Sequence, residues 1–95
     1  MPTHITDETI VVQSKLLPHG EIDGELMALD AAAGDVIGLD AIGTAIWGQA
    51  EKPTTVGAVV EWAVQNYDVA HGTARSDIHS LITQLLEIGL LVRSP

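Results

Sequence analysis

Residues 25–39, ELMALDAAAGDVIGL, decide the fold. Two stretches of strand character, Glu25 to Asp30 and Asp35 to Leu39, flank the connection Ala31-Ala32-Ala33-Gly34. Four residues are right for an antiparallel hairpin, and Gly34 supplies the left-handed backbone that a side chain would resist. Upstream, Pro18 to Gly24 (PHGEIDG) reads as a loop closing on Asp23-Gly24, a pair suited to a turn with positive φ. Before it, Glu8 to Val12 (ETIVV) is dominated by β-branched residues and reads as the first strand of a three-stranded antiparallel meander. Residues 1–7 are polar and read as a flexible N-terminus, so the expected domain is 8–92.

Downstream the period changes from two to that of helices. Asp40 suits the cap of a first helix with Ile42, Ile46, Trp47 and Ala50 inward, ending near Lys52-Pro53. Thr54 and Thr55 offer a cap for a second, with Val56, Val60, Ala63, Val64 and Tyr67 on one face. Trp47 reads as a core aromatic. Trp62, off the second helix's stripe, is either a half-buried ring or a contact for a partner enzyme or second subunit. A third helix runs from about Thr73 to Ile88, poorly started because Ala70 cannot cap and Gly72 falls in the first turn. Gly89 stops it, and Leu90-Leu91-Val92 return as a short strand or packed tail. The order β-β-β-α-α-α is an α+β arrangement in which helices cover one face of a small sheet.

The third helix carries two apolar stripes where a surface helix needs one. Ala74, Ile78, Leu81, Leu85 and Ile88 form the stripe expected in the core. Arg75, His79, Ile82 and Leu86 form a second, each one position later and so rotated by about 100°. By periodicity the second stripe either widens the core face or meets something outside the chain.

Composition excludes several classes of function. Ninety-five residues make one small domain, too short for a catalytic domain plus a regulatory one. Hydrophobic content is 46%, yet no apolar run approaches the roughly eighteen residues of a membrane span, and Met1-Pro2-Thr3-His4 lacks a signal-peptide pattern; a cytoplasmic protein is expected. Without cysteine there is no disulfide, zinc knuckle, iron–sulfur cluster or thiol nucleophile. His4, His19, His71 and His79 show no metal-binding spacing, and neither a metal nor a cofactor is expected. The acids Asp7, Glu8, Glu21, Asp23, Glu25, Asp35 and Asp40 read as solvated charges on strand ends and loops. No acid, base and nucleophile set is assembled, so the chain does not read as an enzyme. Thirteen acids against four bases give a formal charge of −9, which repels nucleic acid.

An ordered series of residues resembles a known family: Asp23-Gly24-Glu25, Leu29-Asp30, Gly34, Gly38-Leu39-Asp40, Gly43, Ile46-Trp47, Tyr67-Asp68-Val69, Asp77-Ile78, Leu81, Leu85 and Gly89-Leu90-Leu91. Together, over about residues 8 to 92, they resemble the PqqD-like family, small winged-helix-like domains that act as precursor-peptide recognition elements in ribosomal peptide biosynthesis. The Asp-Gly-Glu start and the Gly-Leu-Asp…Ile-Trp block look more like the stand-alone B1 proteins of lasso-peptide clusters than the PqqD of quinone-cofactor synthesis.

The resemblance implies that a precursor's leader segment binds as an added strand against Asp35, Val36, Ile37, Gly38 and Leu39, in the groove between that strand and the third helix. An edge strand offers unpaired amides and carbonyls for such addition. It also assigns Ile82 and Leu86 to an apolar pocket, with Arg75 and His79 at its upper end to pair with an acidic leader group. The implied function is non-catalytic: capture of the leader and its presentation to a processing enzyme, foremost a lasso-peptide leader peptidase. Two alternatives stand beside it, a PqqD-type chaperone for a radical-enzyme pathway and a winged-helix regulator, the latter disfavoured by charge.

Overall fold

The computed structural model describes residues 4–30 and 32–95; Met1–Thr3 and Ala31 lie outside the described residues. The elements in order are β1 (Ile10–Gln13), β2 (His19–Ile22), β3 (Glu25–Asp30), β4 (Asp35–Gly38), α1 (Ala41–Gly48), β5 (Thr54–Thr55), α2 (Val56–Asn66), α3 (His71–Ile88) and β6 (Leu91–Arg93). The class is α+β and winged-helix-like, with antiparallel strands and three helices.

The meander exists, built from a different set of strands. The strand order is β2-β3-β4 in one sheet and β5-β1-β6 in a second. Residues 19–22, expected within a loop, pair with β3 from His19↔Ala28 to Ile22↔Glu25. The connection is Asp23-Gly24 with φ of 54° and 80°, both positive as a two-residue hairpin of the right twist requires. The first strand leaves the meander altogether. Val11 pairs with Thr54 on one side and Arg93 on the other, so β1 is a central strand completed within its own chain. Its β-branched residues gave the strand, while its partners lie more than forty residues away.

Each helix boundary has a local cause. Asp40 Oδ1 accepts from the Gly43 N–H at 2.7 Å and starts α1, which ends at Gly48 rather than near Lys52. Thr55 Oγ1 accepts from the Ala58 N–H at 3.1 Å and starts α2. Helix α3 begins at His71, two residues before the expected start, with Ala70 at its cap position and no side-chain cap. Gly89, φ 88°, ends it: the Leu90 N–H donates to Leu85 O at 2.9 Å and the Gly89 N–H to Leu86 O at 3.3 Å. This closing pair satisfies carbonyls that the helix end would leave orphaned and turns the chain into β6.

One core joins both sheets to the helices. Val11, Leu26, Val56, Val59, Val60, Ile82, Leu85, Leu90 and Leu91 are its largest fully buried side chains. Trp47 is buried as expected, and its Nε1–H donates to Leu90 O at 2.9 Å, tying α1 to the segment after α3. Thr44 performs a similar task for the wing. Its Oγ1 accepts from the Leu26 N–H at 2.8 Å and donates to Leu39 O at 3.2 Å, so the hairpin β3–β4 is pinned to α1.

Of residues 1–7, expected as a flexible start, 1–3 lie outside the described residues, and His4 and Thr6 are exposed. Ile5 joins the core, and Asp7 O accepts from the Gly57 N–H at 2.8 Å.

Candidate functional site

Strand β4 borders one other strand, β3, so its far side is an open edge among the described residues. The Leu39 N–H donates to Leu26 O at 2.9 Å, which fixes the phase of the ladder. With Ala28 opposite Ile37 and Met27 opposite Gly38, alternation turns Ile37 and Leu39 toward β3 and leaves the N–H and C=O of Val36 and Gly38 on the open side. Ile37 and Leu39 also pack their side chains against the core. Val36, 65% exposed, and Asp35 do not.

An apolar cleft lies among the three helices. Four residues after Gly38 comes Ile42 on α1, and Ile42 and Ile46 form one wall of a cavity of about 210 Å³. Ala63 on α2, Tyr67 and Val69 beyond it, and Ala74, Asp77 and Ile78 on α3 complete it. Ile42 is 54% exposed and Tyr67 37%, so apolar surface is available to a ligand before anything binds. Asp77 is the one charged side chain in the lining among the described residues. Neither Ile42, read as inward-facing, nor Tyr67, read as part of a core stripe, was expected to form such a wall.

The two stripes of α3 are placed differently from the sequence expectation. The buried row is Ala74, Ile78, Ile82 and Leu85. Ile82, expected to line an open pocket, is 1% exposed and fully within the core. Leu81 and Leu86 are half-buried on either flank, and Ile88, expected in the core, is 37% exposed. The free flank toward the cleft therefore holds Asp77 and Leu81, each one position before a residue of the buried row rather than one after, with Ile88 on the same flank seven residues beyond Leu81.

Arg75 and His79 lie on the opposite flank and already have an acid. His79 Nε2 is 2.6 Å from Asp7 Oδ1, and Arg75 Nε donates to Asp7 Oδ2 at 3.1 Å. The hydrogen bond with His79, followed by that from Arg75, holds the Asp7 carboxyl below its usual range. The acidic partner expected from a leader is thus supplied by the chain's own N-terminal segment. Trp62 is half-buried and meets Tyr67 edge-on at 5.7 Å, which steadies one wall of the cleft. Among the described residues, no group of His, Asp and Glu side chains is arranged to hold a metal ion, and no helix is long and apolar enough to cross a membrane.

Comparison with known proteins identifies a family for the chain. Residues 25–91 match the family model for coenzyme PQQ synthesis protein D (PqqD). No curated protein matches the sequence. Among solved structures, TbiB1 in complex with the TbiA(β) leader peptide is 28% identical with a TM-score of 0.73, over 84% of this chain and 93% of that one. A lasso peptide synthetase B1 complexed with the leader peptide shares the fold at a TM-score of 0.74 and 21% identity, over 86% of this chain and 96% of that one.

Proposed function

This chain belongs to the PqqD family, and from that premise we propose that it is a non-catalytic recognition module of the cytoplasm. It binds the leader region of a ribosomally made precursor peptide by strand addition to β4 and presents it to a processing enzyme, a lasso-peptide leader peptidase. The observation that carries the reading is the open edge at Val36 and Gly38, followed four residues later by Ile42 in the wall of the apolar cleft. An extended peptide there gains backbone hydrogen bonds for affinity and a side-chain pocket for selectivity. The leader peptide in the TbiB1 structure, a protein of 28% identity, supports the same ligand class here.

The cleft refines what the leader must carry. Its walls are aliphatic and aromatic, so an apolar side chain is the anchor, and Asp77 at the lining favours a basic residue beside it. Holding the precursor raises the local concentration of its cleavage site at the enzyme without chemistry in this domain. A radical-enzyme pathway would use the same edge, and the neighbouring reading frames separate the two. A peptidase with an asparagine-synthetase-like cyclase supports the lasso pathway; a radical enzyme supports the other.

Proline scanning of β4 tests strand addition directly. Val36→Pro removes an N–H that points to the open side, at an edge where proline is tolerated. It should keep the circular dichroism of the wild type and weaken binding of the cognate leader, followed by anisotropy, by about tenfold or more. Ile37→Pro removes an N–H that belongs to the β3 ladder and should disturb the wing itself. Full leader affinity in a folded Val36→Pro variant would rule out an added strand on this edge.

A further inference from the structure

The wing sheet is covered on one side only. Leu26 and Ala28 bury toward the helices, whereas Met27 and Leu29, alternating with them on β3, are 37% and 44% exposed. Ile22 on β2 and Val36 on β4 point the same way and are each 65% exposed. Register sets Val36 opposite Leu29 and places Gly20 and Gly38 on the two sides of Met27. A Cβ at position 38 would stand 3.3 Å from the Met27 sulfur, so the methionine lies across bare backbone and the face stays flat. Four apolar side chains together make an exposed patch of the kind that often marks an interaction surface.

The charge around this patch has one sign. Residues 18–40 contain Glu21, Asp23, Glu25, Asp30, Asp35 and Asp40, with neither Lys nor Arg. A second copy of the chain would oppose like charge to like charge across the face, which disfavours self-association. The complementary surface is apolar at its centre and basic at its rim. The face is also continuous with the open edge of β4, because Val36 gives its backbone to the edge and its side chain to the face.

We infer that the outer face of β2–β3–β4 is the docking surface for the processing peptidase, which meets it with a basic-rimmed apolar patch beside the leader held on β4. The inference rests on the leader-binding reading for the identity of the partner. Docked there, the enzyme sits against the strand from which the precursor continues, and delivery needs no release of the leader.

The test uses all 95 residues of the chain, a synthetic leader of its precursor and the peptidase encoded beside it. Thr is a good strand former, so Ile22→Thr combined with Leu29→Thr makes the face polar without opposing the sheet. Peptidase affinity, measured by biolayer interferometry without leader, should fall about tenfold or more. Leader affinity should change less than about twofold, because the β4 backbone and the cleft are untouched. Wild-type affinity for the peptidase should also fall with rising salt. Unchanged peptidase affinity in the double variant would overturn the docking face. So would a wild-type dimer in sedimentation that the double variant loses, because the occupant would then be a second copy. Affinity that rises with salt would overturn the basic-rimmed partner. A wild type that binds peptidase but no leader would instead remove the leader reading and leave the docking face standing.

Discussion

Leu81 and Ile82 are adjacent, and their fates differ because α3 turns about 100° between them. Ile82 is 1% exposed in the centre of the buried row, while Leu81 is half-buried on the flank toward the cleft. Ile82→Asp places an unpaired charge in the core and should unfold the domain. Leu81→Asp reaches solvent from the flank; it should retain helical circular dichroism and lower leader affinity by about 2 kcal/mol, the scale of a spoiled apolar hot spot. Equal loss of fold in both would place the flank in the core too. Asp7 gives a second residue-level expectation. Its folded carboxyl lies below the ordinary value of 3.8, chiefly through His79 and then Arg75, so on acidification the unfolded chain takes up this proton first. The stabilisation is therefore complete above the unfolded pKa and is lost as pH falls through the lower folded value. Asp7→Asn should have a lower Tm than the wild type near neutrality, with the gap narrowing below the ordinary carboxylate range. A gap that is constant from neutral to acid would show that the pair contributes nothing pH-dependent.

Helix α3 begins without help, which makes its first turn the place where an element can be improved. Ala70 has the extended backbone of a cap residue, φ −68° and ψ 145°, but no side chain to accept a hydrogen bond. Ala70→Ser supplies the oxygen and adds no charge to a chain already at −9, so it should stabilise the domain by about 1 kcal/mol in urea unfolding. No change in midpoint would mean that the first turn frays in both proteins. The weak start was legible in the sequence, as were the caps at Asp40 and Thr55, the stop at Gly89 and the hairpin around Gly34, because each depends on residues within a few positions. Strand β2 was not legible. All four of its residues, His19 to Ile22, are exposed, and Ile22 alone is strongly apolar, so only the Asp23-Gly24 turn hinted at a hairpin. The partners of β1 were hidden for another reason, since composition marks a strand without saying which distant segment lies beside it. The phase of α3 was hidden by abundance. Leu81, Ile82, Leu85, Leu86 and Ile88 offer an apolar residue to both flanks, and periodicity alone cannot select the side that the cleft occupies. The cleft itself draws on α1, α2 and α3, a convergence no single stripe reveals.

At the scale of the whole molecule, fold and charge point to different partners, and charge decides between them. A winged-helix layout offers a helix and a wing of the kind that grips duplex DNA, and binding of that kind draws most of its affinity from phosphate contacts. Here the wing region, residues 18–40, has no Lys or Arg, and α3 has Arg75 as its single strong base. That guanidinium is already paired with Asp7, while Asp77 and Glu87 lie on the same helix and are exposed. Forming a complex would bring thirteen acids toward a polyanion with four bases to offset them. A folded peptide strand demands none of this, since backbone hydrogen bonds and an apolar anchor carry its affinity with little regard to net charge. The chain should therefore show no duplex binding by anisotropy even at low ionic strength, where phosphate attraction is at its strongest. Binding at micromolar protein that weakens steeply with added salt would overturn this conclusion, and would return the wing and α3 to the role of a nucleic-acid reader.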